Sequence, residues 1–369
     1  MSTDRILAKT LRASQRLTEA LLGQDCAEDD DDGPLANLRS LLRHTPGPTD
    51  VLRQLYKAEP GPYPVDTHQQ VFRHPGLGRE MALTALYPLG LSAGEGFPVV
   101  VVSPGLGAHA QATRYVEKHL ASHGYLVLSP VHSGSDWTAV FRRTPFGAFS
   151  RKELSVRVAE VILALELLEK ERLPRHLCRR ANLSQVALVG HSFGALTLQA
   201  IAGVPVADAE GQFVALSDPR FKAFVAMSPY GDSFPAQRMG MTAEGYAQIE
   251  RPILFMSGDR DDLWTVGRGP NTHLRPFEWV KTPDRYHLLI GGTKHSDFSQ
   301  VMGLIKRRTA TMVNFTTTAF LDWYLKGDAE AQRYLLADWQ VASAQLQSWA
   351  FLPSTEPTRD LTDRSDGRL

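Results

Sequence analysis

Cysteine is nearly missing from this sequence: Cys26 and Cys178 stand alone and far apart. Two isolated thiols form neither a disulfide framework nor a metal-ligand spacing, so a reducing, cytoplasmic setting is expected. An excess of either charge is missing too. The 40 basic and 40 acidic residues cancel, which removes the basic surplus that nucleic-acid binding demands. No apolar run approaches the roughly 18 residues of a membrane span. The first residues lack the apolar core of a secretory signal, and there are no internal repeats. What remains is a 369-residue chain with 43% apolar and 22% charged side chains. That is the balance of a soluble globular enzyme, with enough length to bury a substantial core.

One stretch organises the rest. Residues 186–189 (Val-Ala-Leu-Val) end in Gly190-His191-Ser192-Phe193-Gly194, and a helix-prone run, 195–200, follows at once. Strand, sharp turn and helix with a serine at the turn match the G-x-S-x-G nucleophile elbow. A serine held in so tight a turn crowds its neighbours, which calls for residues without Cβ two positions to either side. The helix that follows directs its first amides at the serine, a setting that suits an oxyanion.

Around this stretch the chain alternates between strand and helix. Residues 3–22 read as a basic amphipathic helix that could touch a membrane surface, although packing on its own chain or a second copy is the favoured expectation. Residues 28–34, an acidic run closed by Gly33-Pro34, read as a solvated linker rather than a metal site. Together with a short helical stretch at 35–42, they form an expected N-terminal extension, 1–64. The runs 69–73 and 82–86 flank Pro75-Gly76-Leu77-Gly78 as a hairpin. Residues 97–102 and 125–128 read as strands buried on both faces, separated by a helix at 112–123. A long helix over 151–171 leads to the elbow, and 221–227, 252–256 and 286–290 are three further strands. Helices follow at 311–324 and 329–348. Such alternation predicts an α/β domain over 65–350 with a doubly wound, mostly parallel sheet and helices on both faces. Residues 351–369 read as a polar, disordered tail.

A serine nucleophile requires a base, and the base requires a carboxylate. On this architecture both come after the serine, acid before histidine, at the ends of later strands. After the strand at 252–256 the chain reads Ser257-Gly258-Asp259-Arg260-Asp261-Asp262. Asp261 is the expected acid, because Gly258 lets the chain turn out of the strand and re-aim a carboxylate. Asp259 and Asp262 are its competitors. Two histidines are candidates for the base. His287 lies inside the apolar run 286–290, whereas His295 sits in the Gly-rich stretch Gly291-Gly292-Thr293-Lys294-His295, from which it can reach back over the serine. His295 is therefore preferred. The expected oxyanion donors are the amide of Phe193, at the head of the helix, and that of Leu106, in Ser103-Pro104-Gly105-Leu106-Gly107 after an early strand.

With these residues in view, residues 79–88, 99–107, 120–125, 190–194 and 291–298 together resemble bacterial α/β-hydrolases. The particular resemblance is to the predicted dienelactone-hydrolase-like group related to platelet-activating-factor acetylhydrolase, over roughly 65–330. The resemblance implies an α/β-hydrolase fold and a serine esterase with Ser192, Asp261 and His295 as triad and Leu106 and Phe193 as oxyanion donors. The early loop departs from the group's usual Ser-His-Gly by reading Ser103-Pro104-Gly105. Dienelactone hydrolases proper use a cysteine nucleophile, and neither cysteine here lies at an elbow, so that chemistry is not implied.

Two long segments, 131–149 and 228–249, follow strand ends and carry aromatic residues and methionines. Trp137, Phe141, Tyr230 and Trp264 are expected to line an apolar pocket for a short-to-medium acyl ester. No metal or organic cofactor is expected. Acyl transfer or peptide cleavage on the same fold, and a catalytically silent binding protein, are the alternatives.

Overall fold

The computed structural model describes residues 55–90, 96–106, 111–132, 149–208, 210–261, 270–300, 305–338 and 349–353. The expected helices at 3–22 and 35–42 and the acidic linker lie outside the described residues.

Nine strands form the main sheet: β1 (Val65–Arg73), β2 (Glu80–Pro88), β3 (Phe97–Ser103), β4 (Leu126–Val131), β5 (Ala181–His191), β6 (Phe221–Met227), β7 (Ile253–Arg260), β8 (Arg285–Lys294) and β9 (Trp349–Pro353). Their spatial order is β1-β2-β4-β3-β5-β6-β7-β8-β9. Five of the eight pairings are parallel; only β1–β2, β2–β4 and β8–β9 are antiparallel. The class expected from the sequence, α/β with a mostly parallel sheet, is the class observed.

The central strands alternate between two cores. Val99 and Val101 of β3, Val186 and Leu188 of β5, and Ile253 and Phe255 of β7 face one core. Val100, Val102, Ala187, Val189, Leu254 and Met256 face the other. Near-continuous valine and leucine runs follow from this, since a strand covered on both faces has no side left for polar residues. Three helices pack against the first core: α2 (Arg151–Glu169), α3 (Phe193–Ala202) and α4 (Pro270–Trp279). The second core is covered by α1 (Arg114–Ser122) and α5 (Arg307–Lys326). Local signals fix the helix ends. The Ser150 hydroxyl accepts from the Glu153 amide to start α2, and Gly327 closes α5 in the left-handed conformation, φ +68°, which costs glycine no Cβ clash.

Three features depart from the sequence reading. Strand β5 starts at Ala181, five residues early, because Ala181 and Asn182 pair with Phe97 and Pro98 across a register shift. Of the helix expected over 329–348, Ala329–Arg333 is α-helical and passes into a π turn, Tyr334–Asp338, while 339–348 lie outside the described residues. Beyond them β9 pairs antiparallel with Tyr286–Ile290, so the sheet runs into residues 351–353, which the sequence assigns to the tail. Ahead of β1, Leu55 and Tyr56 are buried in the second core, so the domain begins before residue 65. Among the described residues, no helix is long and apolar enough to cross a membrane.

Candidate active site

The site is built at the C-terminal ends of the parallel strands. At the end of β5, Ser192 adopts φ +56° and ψ −120°. Non-glycine backbone at positive φ is strained by about 1–3 kcal/mol and persists only where its surroundings hold it. The glycines to either side explain how the turn closes. A Cβ on Gly190 would run into the Gly194 carbonyl, and one on Gly194 into the Ser103 carbonyl of β3. The elbow is thus wedged between its own helix and the neighbouring strand.

Ser192 Oγ lies 2.9 Å from His295 Nε2, and His295 Nδ1 lies 2.9 Å from Asp261 Oδ1. With Nδ1–H donating to the carboxylate, Nε2 is left as the acceptor for the serine hydroxyl. Asp261 is fully buried just beyond β7. Burial pushes its carboxyl up, but the hydrogen bond from His295, the nearby imidazoles of His273 and His295, and the hydrogen bond from Ser228 outweigh that effect. The result is a carboxyl lowered to about 2, held as the anion that steadies a histidine cation. Ser228 Oγ donates to Asp261 Oδ2 at 2.6 Å, from a backbone that is itself at φ +48°.

Asp259 and His287 are placed away from the serine. Asp259 is exposed and accepts from the Gly292 amide, and Asp262 lies outside the described residues. His287 is buried on the α4 side of β8, with Nε2 2.9 Å from Ser257 Oγ and its ring against Phe277. Burial pushes its imidazole down to about 3. It belongs to the core. Gly258 has a different role from the one expected. The strand continues through it, and a Cβ there would meet the Thr293 carbonyl of β8. It lets β7 and β8 approach closely, which brings Asp261 and His295 together.

Leu106 and Phe193 flank the serine. The loop after β3 passes so close that a Cβ on Gly105 would sit 3.2 Å from Ser192 Cβ. Phe193 is the first residue of α3, where the leading amides have no partner within the helix. Tyr230 is fully buried, and its hydroxyl is 3.0 Å from Ser192 Oγ. Its carbonyl accepts from Gln199 Nε2 at 2.9 Å and from the Tyr246 hydroxyl. Trp137, Phe141 and Trp264 lie outside the described residues.

The sequence reading missed three neighbours: Ser228, His273 and Arg157. His273, buried on α4, contacts the Pro229 carbonyl through Nδ1 at 2.7 Å and the Asp261 carbonyl through Nε2 at 3.1 Å. It ties the loop after β6 to the loop after β7. None of the three sits in a local motif; each is brought in by a distant element. A second chain, Ser103 Oγ to His132 Nε2 at 2.9 Å and His132 Nδ1 to Glu160 Oε2 at 2.7 Å, repeats the order serine, histidine, carboxylate. Ser103 is fully buried within a regular strand, so it offers no hydroxyl to a substrate.

The side chains of Asp261, His273 and His295 place potential ligand atoms within 4.8 Å of one another. The separations between them, 2.9 Å from His295 and 3.3 Å from His273 to Asp261 Oδ1, are those of hydrogen-bonded pairs. Both nitrogens of His295 are already engaged, with Ser192 and Asp261. The arrangement can do acid–base and nucleophilic chemistry at one hydroxyl. In comparisons with known proteins, no family model matches the chain, and no curated protein matches it.

Proposed function

We propose that this chain is a serine hydrolase of the α/β-hydrolase fold that cleaves carboxylic esters through an acyl-enzyme. One observation carries the proposal: a strained serine at a strand-to-helix turn, hydrogen-bonded to His295, which is hydrogen-bonded to buried Asp261. The order of the three along the chain, and their positions after β5, β7 and β8, are those of the elbow-bearing α/β architecture.

In the proposed reaction Ser192 Oγ attacks the ester carbonyl and its proton passes to His295 Nε2. The amides of Leu106 and Phe193 hold the oxyanion, and His295 returns the proton to the leaving alcohol. Water then attacks the acyl-enzyme, with His295 again as base. Asp261 keeps the imidazole in its tautomer and offsets the positive charge that forms. The proposed substrate is an ester with an apolar, short-to-medium acyl group. Transfer of the acyl group to an alcohol, in place of water, is the variant on the same intermediate; added acceptor alcohols and product partition separate the two.

The test is labelling by a fluorophosphonate together with hydrolysis of short p-nitrophenyl esters. Wild-type protein should label once, at Ser192. Ser192→Ala should neither label nor turn over ester while melting like wild type. Activity retained in folded Ser192→Ala would remove the serine from the mechanism, and failure of folded wild type to label would favour a silent binding protein.

A further inference from the structure

Arg157 of α2 is fully buried and has no step in the proposed reaction. A guanidinium costs several kcal/mol to bury unless it is well partnered. Its Nη2 donates to the Pro104 carbonyl at 2.7 Å and more weakly to that of Gly105 at 3.4 Å. Its Cζ lies 4.5 Å from the centroid of the Phe193 ring. Nε and Nη1 find no hydrogen-bond partner among the described residues. Burial pushes the guanidinium down to about 10 against the pull of Glu153 and Glu160, so it is charged at neutral pH.

The contacts are selective. Pro104 and Gly105 are the backbone that leads to Leu106, and Phe193 follows the serine. The Gly105 carbonyl and the Leu106 N–H share one planar trans peptide and point in opposite directions. A donor held on the carbonyl side therefore aims the amide away from itself, and by polarising the peptide makes its N–H a better donor. The same planar cation lies on the ring of Phe193, as arginine does on aromatic faces. One buried side chain thus touches the carbonyl of the peptide that carries the Leu106 amide and the ring of Phe193.

We infer that Arg157 is the positioning residue of the oxyanion site, orienting the Leu106 amide through the loop carbonyls and seating Phe193 by stacking. The inference rests on the serine-hydrolase reading. It separates from simple packing by where the loss falls: misaimed amides weaken the transition state and leave substrate binding intact.

Arg157→Met keeps the side-chain bulk and removes the charge and donors; Arg157→Lys keeps the charge and one donor. Each is checked by thermal melting, and then kcat, KM and inhibition by a trifluoromethyl ketone, which forms a tetrahedral oxyanion on the serine, are measured. Arg157→Met should lower kcat by about 10- to 100-fold, short of losing a donor outright. KM should stay within about threefold, and ketone affinity should fall by about the same factor as kcat/KM. Arg157→Lys should recover part of each loss. Folded Arg157→Met with wild-type kcat, or a kcat loss that ketone affinity does not follow, overturns the assignment. So does failure of both variants to fold, which would make Arg157 a stability residue. Wild-type protein that neither labels nor hydrolyses esters removes the hydrolase reading and this one with it. Active wild type with unaffected variants removes this one alone.

Discussion

His295 and His287 are close in sequence and both buried, yet their surroundings assign them different work. His295 bridges Ser192 and Asp261, whereas His287 pairs with Ser257 inside a core. His295→Ala should lower kcat by on the order of 10³-fold or more, as loss of a catalytic base does. His287→Ala should change kcat by less than about tenfold and instead cost about 1–3 kcal/mol of stability, because Ser257 loses its buried partner. Activity assays and denaturant melts of the two variants check this, and the reverse order would exchange their roles. Ser192 and His295 were legible in the sequence because each sits in a glycine-bearing local pattern with mechanical meaning. Asp261 was legible only as one of three neighbouring aspartates; what separates it from Asp259 is burial, which depends on elements far away in the chain. Arg157, His273 and Ser228 were not legible, since a single long-range contact leaves no local periodicity or spacing. Tyr230, read as pocket lining from its place after a strand end, places its hydroxyl against the serine.

At the level of elements, apolar runs located every central strand, and polar strand ends were where the reading stopped short. The first five residues of β5 carry Asn182, Ser184 and Gln185, and only Ala181 and Asn182 of them pair with β3, ahead of a register shift. Strand β8 continues past Gly291 and Gly292 to Lys294, beyond an irregularity after Ile290, where the glycines suggested a loop. Strand β9 was the largest omission. It is short and ends in Pro353, which an edge strand tolerates and a central one does not, and alone it has little strand signature. Its five pairs cover the outer edge of β8. A chain ending at residue 348 should expose that edge, melt at least about 2 °C lower and self-associate. Size-exclusion chromatography with light scattering measures this; a monomer with unchanged melting would show that β9 adds nothing.

At the scale of the molecule, four histidines among the described residues are buried in positions that favour the neutral ring. Burial pushes His119, His191 and His287 down to about 3 and His132 well below its usual range. In the unfolded chain they titrate near 6.5, so below that pH the unfolded state binds protons that the folded state refuses. Stability is therefore complete above about pH 6.5 and falls as pH drops toward 3, by about 1.4 kcal/mol per pH unit for each proton. Asp261, lowered to about 2, remains charged across this window and adds to the loss only below about pH 4. Melting temperature should fall steadily from pH 7 to pH 5; a flat profile would contradict neutral buried rings. The segment ahead of β1 carries a different consequence. Tyr56 and Lys57 are clasped by buried Asp322 of α5, and Gly61 and Tyr63 bond to Ser122 at the end of α1. Ser122 adjoins the start of β4, so the chain enters this fold at the opposite end of the strands from Ser192. Protein coupled to a solid support through exposed Glu59 of this segment is anchored on the far side, and the serine is turned toward the solution that brings its substrate.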